Sequence, residues 1–251
     1  LALTREFGDY NVKCLASRAY RAPTVMELFW QNPSLKPEYT TTYEVEFGRK
    51  LTKDAYMAVN FFDEKTENII TYAGTYAEYV ANGYFAYANR DVTASRGAEA
   101  QYRMRKDWGY CNLAYSYYKS YDNTVFNTIP TDAQGNPVGD VTLGFPTHKA
   151  TLNASVKIGR GWSAAPGLIW FSSRYASYTD DSGNPHYKTL DPEFLANLYF
   201  RHVFATNGWE LGLGVFNLFD QQYWMAHGSY DDYSETSGPS REYVMKVKYS
   251  F

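Results

Sequence analysis

The 251-residue chain has no apolar run approaching the ~20 residues that a membrane-spanning helix requires, which excludes a helical membrane protein. Cysteine is scarce. Cys14 and Cys111 are too few for a disulfide framework and match no metal spacing, so they read as unpaired small residues. Neither sign of charge dominates: 24 basic residues stand against 27 acidic ones, so the chain carries no nucleic-acid footprint. No basic segment followed by an apolar one opens the sequence, so a secretion signal is expected to lie outside it or to have been removed. Nucleophile motifs, zinc spacings and glycine-rich phosphate loops are missing, which argues against an enzyme. A convincing helical period is found almost nowhere.

What the chain has is aromatic residues and alternation. With 25 Tyr, 15 Phe and 6 Trp, aromatics make up 18% of the sequence. In "HKATLNASVKI", Ala150, Leu152, Ala154, Val156 and Ile158 alternate with Lys149, Thr151, Asn153, Ser155 and Lys157. In the closing "REYVMKVKYSF", Tyr243, Met245, Val247, Tyr249 and Phe251 fall on one side and Glu242, Lys246, Lys248 and Ser250 on the other. Only Val244 breaks that pattern. Period two with one apolar and one polar face reads as strand. It places strands near 1–6, 11–19, 40–51, 55–71, 86–106, 108–121, 147–159, 162–177, 188–204, 208–221 and 241–251.

The connections sort by length. Short polar turns at 7–10, 52–54, 107, 160–161 and 205–208 alternate with long segments at 20–39, 72–85, 122–146, 178–187 and 222–240. A soluble sandwich has no reason for this order. A transmembrane antiparallel β-barrel does, with short periplasmic turns on one rim and long extracellular loops on the other. The apolar faces then meet lipid and the polar faces line the lumen, and closure satisfies every backbone group. On this reading the last strand runs inward and Phe251 is periplasmic. Eleven strands counted back from it make the first run inward too, which a complete single-chain barrel with an even strand count does not allow. The expectation is therefore the C-terminal part of a larger barrel, occupying all of 1–251.

Three stretches carry a family resemblance. In "SRAYRAPTVMELFWQNPSLKPEYTTTYEVEFG", Tyr20, Arg21, Ala22 and Pro23 are followed by Asn32, Pro33, Leu35, Pro37 and Glu38, and then by Tyr43 and Glu44. In "GLGVFNLFDQQYW", Asn217, Leu218, Phe219, Asp220 and Tyr223 form a second box. Arg241 opens a last strand that finishes on Phe251, and "SRGAEAQY" supplies a Gly-x-Glu strand. Together and in this order they resemble TonB-dependent outer-membrane receptors. One departure is that the family's frequent Pro-Gly-Arg before the last strand stands here as Gly238, Pro239, Ser240, Arg241. Each match also has a plain reading: prolines bend a long loop at fixed points, and Asn217 and Asp220 end an apolar alternation. An architectural role is expected for these residues.

The resemblance implies a barrel of about 22 strands with a plugged lumen, here without its plug domain. It also implies import of a scarce bulky solute with energy passed by a TonB complex through the missing N-terminal plug region. The solute expected is a ferric siderophore or a cobalamin-like metal chelate. Haem or glycan import is the alternative, although residues 24–31 lack the His common in haem receptors. A surface-exposed lipoprotein is a candidate accessory partner. An autotransporter translocator, a passive porin and a soluble lectin-like sandwich are the competing readings outside the family.

Candidate ligand-binding residues lie in the long loops. Tyr72, Tyr76, Tyr79, Tyr84 and Tyr87 suit an apolar chelate or a stacked sugar, and an interfacial aromatic girdle explains them equally. His186 and His227 can meet a metal complex or stay solvated. No cofactor is expected beyond loop calcium. Asp132, Asp180 and Asp181 precede Gly-Asn-Pro turns and offer hard oxygens for Ca²⁺, though turn chemistry alone accounts for them. Asp231, Asp232 and Glu235 read as a solvated acidic tip, and His202 as an interfacial residue.

Overall fold

The computed structural model describes residues 1–29, 34–73, 86–122, 142–179, 185–205, 208–228 and 233–251. Eleven strands form one antiparallel sheet. They are β1 (Ala2–Phe7), β2 (Tyr10–Arg21), β3 (Glu38–Thr52), β4 (Ala55–Ala73), β5 (Ala86–Lys106), β6 (Gly109–Tyr121), β7 (His148–Gly159), β8 (Trp162–Phe171), β11 (Glu193–Val203), β12 (Trp209–Phe216) and β15 (Glu242–Tyr249). Their spatial order is their chain order, and β1 and β15 are the two edges. Two hairpins stand apart from the sheet: β9 (Arg174–Thr179) with β10 (Pro185–Leu190), and β13 (Trp224–Gly228) with β14 (Tyr233–Ser237). Among the described residues a single five-residue helix, α1 (Val25–Phe29), follows β2.

The register aligns residues of like polarity across the sheet. One row reads Val12, Phe47, Val59, Ala100, Tyr115, Ala150, Trp170, Phe194. The adjacent row, on the opposite face, reads Thr4, Lys13, Glu46, Asn60, Glu99, Ser116, Lys149, Phe171, Glu193. Because directly opposed residues share a face, each strand carries its apolar set to one side and its polar set to the other. The apolar side has no covering layer: Tyr243 is 73% exposed, Met245 68%, Val247 54% and Phe61 52%. Water does not tolerate so large a contiguous apolar face.

On the polar side, strand glycines make room for aromatic rings. A Cβ on Gly212 would lie 1.7 Å from the Tyr199 hydroxyl, and one on Gly48 would lie 2.0 Å from that of Tyr56. Tyr56 in turn donates to Asn11 Oδ1 and Glu46 Oε1, each at 3.2 Å, while Lys13 Nζ meets the same Glu46 oxygen at 2.6 Å. Polar wall and apolar face are thus both built from alternation.

Three expected strands are too long, the 208–221 strand stopping at Phe216, before the turn at Asn217. The 162–177 strand breaks after Phe171, and the 188–204 strand begins its sheet pairing only at Glu193. The intervening residues form the β9–β10 hairpin, which keeps period two while leaving the sheet. The 222–240 segment, expected to be a loop, contains the β13–β14 hairpin.

Candidate functional site

The long connections gather at one end of the sheet, where two arginine clamps organise them. Arg21 ends β2 and bonds Glu38, the first residue of β3, in bidentate fashion (Nε to Oε2 2.7 Å, Nη2 to Oε1 2.8 Å). Its Nη1 also donates to both oxygens of Glu27 on α1, at 3.0 and 3.3 Å. Thr24 and Glu27 cap α1 reciprocally, Thr24 N–H to Glu27 Oε2 at 2.6 Å and Glu27 N–H to Thr24 Oγ1 at 3.3 Å. This is a capping box, and it starts a helix too short to stand on propensity alone. Glu38 also accepts from the Ile70 N–H at 2.7 Å, which brings in β4. Beside it, Asn89 pins the 34–37 turn by bonding both the N–H and the C=O of Lys36, and Leu35 is buried there.

Charge is set accordingly. The Arg21 hydrogen bonds hold the Glu38 carboxyl below the ordinary range against partial burial. Burial pushes Glu27 up, but bonds from Thr24 and Arg21 outweigh it and the net shift is downward.

The second clamp is buried. Arg174 opens β9 and Glu193 opens β11, with side chains 8% and 5% exposed, and Nη2 meets Oε1 at 2.5 Å. Arg174 Nη2 also donates to the Trp224 carbonyl at 2.8 Å, and the Trp224 N–H donates to Glu193 Oε1 at 3.2 Å. Two groups in this clamp, Arg174 Nε and Glu193 Oε2, are buried without a partner. Lys188 on β10 bridges to Glu235 on β14 at 2.7 Å, so the two hairpins are tied together. Between them and the sheet lies a cavity of about 290 Å³, lined by Lys188, Leu190, Glu193, Gln221 and Trp224 among others.

The second sequence box forms the corner beneath. Asn217 and Asp220 sit at φ 49° and 52°, a conformation that Asn and Asp tolerate. Asn217 is buried and bonds Asn197, Gln221 and Pro239; Asp220 accepts the Arg241 N–H at 2.8 Å. Leu218 N–H bonds the Ala196 carbonyl, and exposed Phe219 stacks on Phe194. Gly238 lies against the Tyr223 ring, where a Cβ would come within 2.1 Å.

The ligand candidates fall on two separate regions. Tyr72 and Tyr87 are register partners on the extensions of β4 and β5. His186 lies on β10 and His227 on β13, in hairpins that pack together. Tyr76, Tyr79, Tyr84, Asn32, Pro33, Asp132, Asp180 and Asp181 lie outside the described residues, as do Asp231 and Asp232. Among the described residues no three His, Cys, Asp or Glu side chains come close enough to hold a metal. Tyr20 is 71% exposed on the outward face, 6.5 Å from Tyr39. His202 sits between Trp162 and Phe204 at the short-turn end. The sequence reading missed Glu27, Arg174 and Glu193. Only the first left a signal, the Thr24-x-x-Glu27 spacing.

A family profile described as "TonB dependent receptor-like, beta-barrel" matches residues 9–218. The chain belongs to the TonB-dependent receptor family. That family consists of outer-membrane β-barrel transporters, not enzymes. The solved pyoverdine outer membrane receptor FpvA from Pseudomonas aeruginosa PAO1 superposes with a TM-score of 0.77 at 16% identity, over 99% of this chain and 35% of that one. The ferric enterobactin receptor PfeA from Pseudomonas aeruginosa gives 0.71 at 16%, over 100% and 40%. The FrpB iron transporter from Neisseria meningitidis gives 0.73 at 12%, over 98% and 38%. At these identities the likeness is one of fold. The chain spans roughly a third to two fifths of these TonB-dependent receptors, and its eleven-stranded sheet is open where a barrel is closed. No curated protein sequence matches it.

Proposed function

We propose that the chain is the C-terminal portion of the barrel of an outer-membrane receptor that imports a bulky metal chelate, with a ferric siderophore the first choice. The long-loop end faces the medium, Phe251 lies toward the periplasm, and TonB acts through a plug-bearing region outside these 251 residues. The observation that carries this reading is the pairing of a family-wide barrel wall with long connections clamped at one end only. A siderophore is favoured because similar structures are named as receptors for pyoverdine, enterobactin and ferric catecholates, although a copper transporter of the same fold is also similar. Tyr72, Tyr87, His186 and His227 are the candidates offered to the solute, with Tyr76, Tyr79 and Tyr84 between the tyrosine pair in sequence.

The test is uptake by the full-length receptor in cells with and without TonB, using radiolabelled iron on a siderophore panel. Cobalamin, haem, copper and glycans serve as competitors. TonB-dependent siderophore uptake that falls with Tyr87→Ala or His186→Ala is expected. Uptake without TonB would overturn active transport, and cobalamin or haem uptake in place of siderophore would overturn the solute. Calcium at Asp132, Asp180 and Asp181 is read in the same assay by adding a chelator.

A further inference from the structure

The cavity of about 290 Å³ between the two hairpins and the sheet has walls that are held from behind. The Trp224 backbone is fixed by its bonds to Arg174 and Glu193. The Lys188 ammonium stands 5.7 Å from the centre of the Trp224 ring and pairs with Glu235 at 2.7 Å. The Tyr223 ring lies against Gly238, where no Cβ fits. Gln221 is tied down through its whole length: its N–H donates to Asn217 Oδ1, its C=O accepts from Asn217 Nδ2, and its Oε1 accepts the Phe194 N–H. Leu190, which is buried, and Pro192 complete the apolar part of the wall.

The polar groups in front of that wall are unused. The Gln221 NH₂ group, the Gln222 amide, the Asp191 carboxylate and the hydroxyls of Thr189 and Tyr223 have no hydrogen-bond partner among the described residues, and all five residues line the cavity. Thr189, Asp191 and Gln222 are exposed, so the cavity opens to solvent on their side. Charge narrows the class of ligand. Lys188 is neutralised by Glu235 and Glu193 by Arg174, Asp191 stands alone, and Glu242 lies within electrostatic reach of Tyr223. The surplus is acidic, which turns anions away. A metal ion finds no group of three suitable side chains among the described residues. What fits is an uncharged ligand with many donors and acceptors and one apolar face.

We propose that this cavity binds a single pyranose ring of a neutral carbohydrate. A sugar ring has that make-up: its C–H face packs flat on an aromatic surface such as the indole of Trp224, and its hydroxyls both donate and accept, as the amide, carboxylate and hydroxyl groups here require. Trp224, Tyr223 and Gln221 are in place before the ligand arrives, which lowers the cost of binding. Size agrees. A volume of about 290 Å³ is at the small end of ligand pockets, enough for one ring and too little for a bulky chelate. The inference does not depend on which solute the receptor imports.

The test uses the full-length receptor in a sugar-free detergent. Methyl glucoside, methyl galactoside, methyl mannoside and dextran are the neutral probes, and N-acetylneuraminic acid is the anionic one. Saturation-transfer NMR is expected to show ring C–H protons of a methyl glycoside taking up saturation from aromatic side chains. Dextran binding as well would extend the site to rings within a polymer, and binding of the glycosides alone would assign it to a free or terminal ring. Asp191→Ala/Gln222→Ala removes two exposed side chains without protein partners and is expected to weaken binding ~10-fold. Trp224→Ala is expected to abolish the transfer and Trp224→Tyr to keep most of it. Binding of no neutral probe overturns the proposal. So does equal binding by the double variant, or N-acetylneuraminic acid held as tightly as the glycosides. If Trp224→Ala does not fold, the double variant decides.

Discussion

The two arginine clamps at the long-loop end solve one problem in opposite ways. Arg21 is 44% exposed and shared between two carboxylates that both sit below their ordinary range. Arg174 is buried with one carboxylate and a backbone peptide, and each partner leaves a polar atom unmatched. The first clamp is over-supplied with bonds: its guanidinium is half-exposed, and each carboxylate keeps a backbone donor, Thr24 N–H for Glu27 and Ile70 N–H for Glu38, when the arginine is lost. The second is under-supplied and dry. Its members depend on each other, and the chain they fix includes both hairpins.

Glu193→Ala is the sharpest way to break the contrast. It strands a buried guanidinium, and such losses cost ~3–5 kcal/mol. Hydrogen exchange on the full-length receptor is expected to show β9, β10, β13 and β14 opening together while the β3–β6 sheet stays protected. Exchange confined to β9 would contradict the coupling. The band below both clamps supplies the reference. Leu152→Arg on the apolar face is expected to cost ~2–4 kcal/mol in denaturant titrations of the refolded barrel, and Asn153→Arg next to nothing. Similar costs for the two would invert or abolish the assignment of faces.

Gly238→Ala drives a Cβ into the Tyr223 ring beside the buried clamp and should cost ~1–3 kcal/mol. It is read as a lowered temperature for the loss of the folded-barrel gel mobility. Arg21→Ala is expected to cost only ~1 kcal/mol, because the arginine itself is half-exposed and both carboxylates keep backbone N–H donors. The smallest effect is on pH. Glu27 and Glu38 titrate below the ~4.3 of a free glutamate, so their contribution is complete at neutral pH and is lost as pH falls below ~4. Proteolysis within 20–39 should rise only in that acid range. A rise near pH 6 would show that other groups control the segment.

The eleven sheet strands were legible because one side must be apolar and the other polar, and a single-residue slip would exchange them. The sorting of loops by length then gave the two ends. The hairpins were not legible. "FSSRYASY" and "HYKTLDPEF" continue the alternation of the strands beside them, so period two reads straight through Ser172–Ser173 and Asp191–Pro192. The helix at 25–29 was announced by Thr24 and Glu27 but hidden by its length. The Arg174–Glu193 pairing could not be read at all, because nothing in local pattern says which of many acids will meet a given arginine in the dark. The ligand candidates were read segment by segment, and the structure keeps that division: Tyr72 pairs with Tyr87 on β4 and β5, while His186 and His227 lie on the two hairpins.

The odd strand count has a geometric consequence. β1 and β15 run in the same direction, since ten antiparallel steps separate them. A second copy inserted the same way up therefore offers each edge a parallel neighbour, and self-complementation into an antiparallel ring is forbidden by parity. Only an odd stretch of strands beginning and ending in the opposite sense fits the gap.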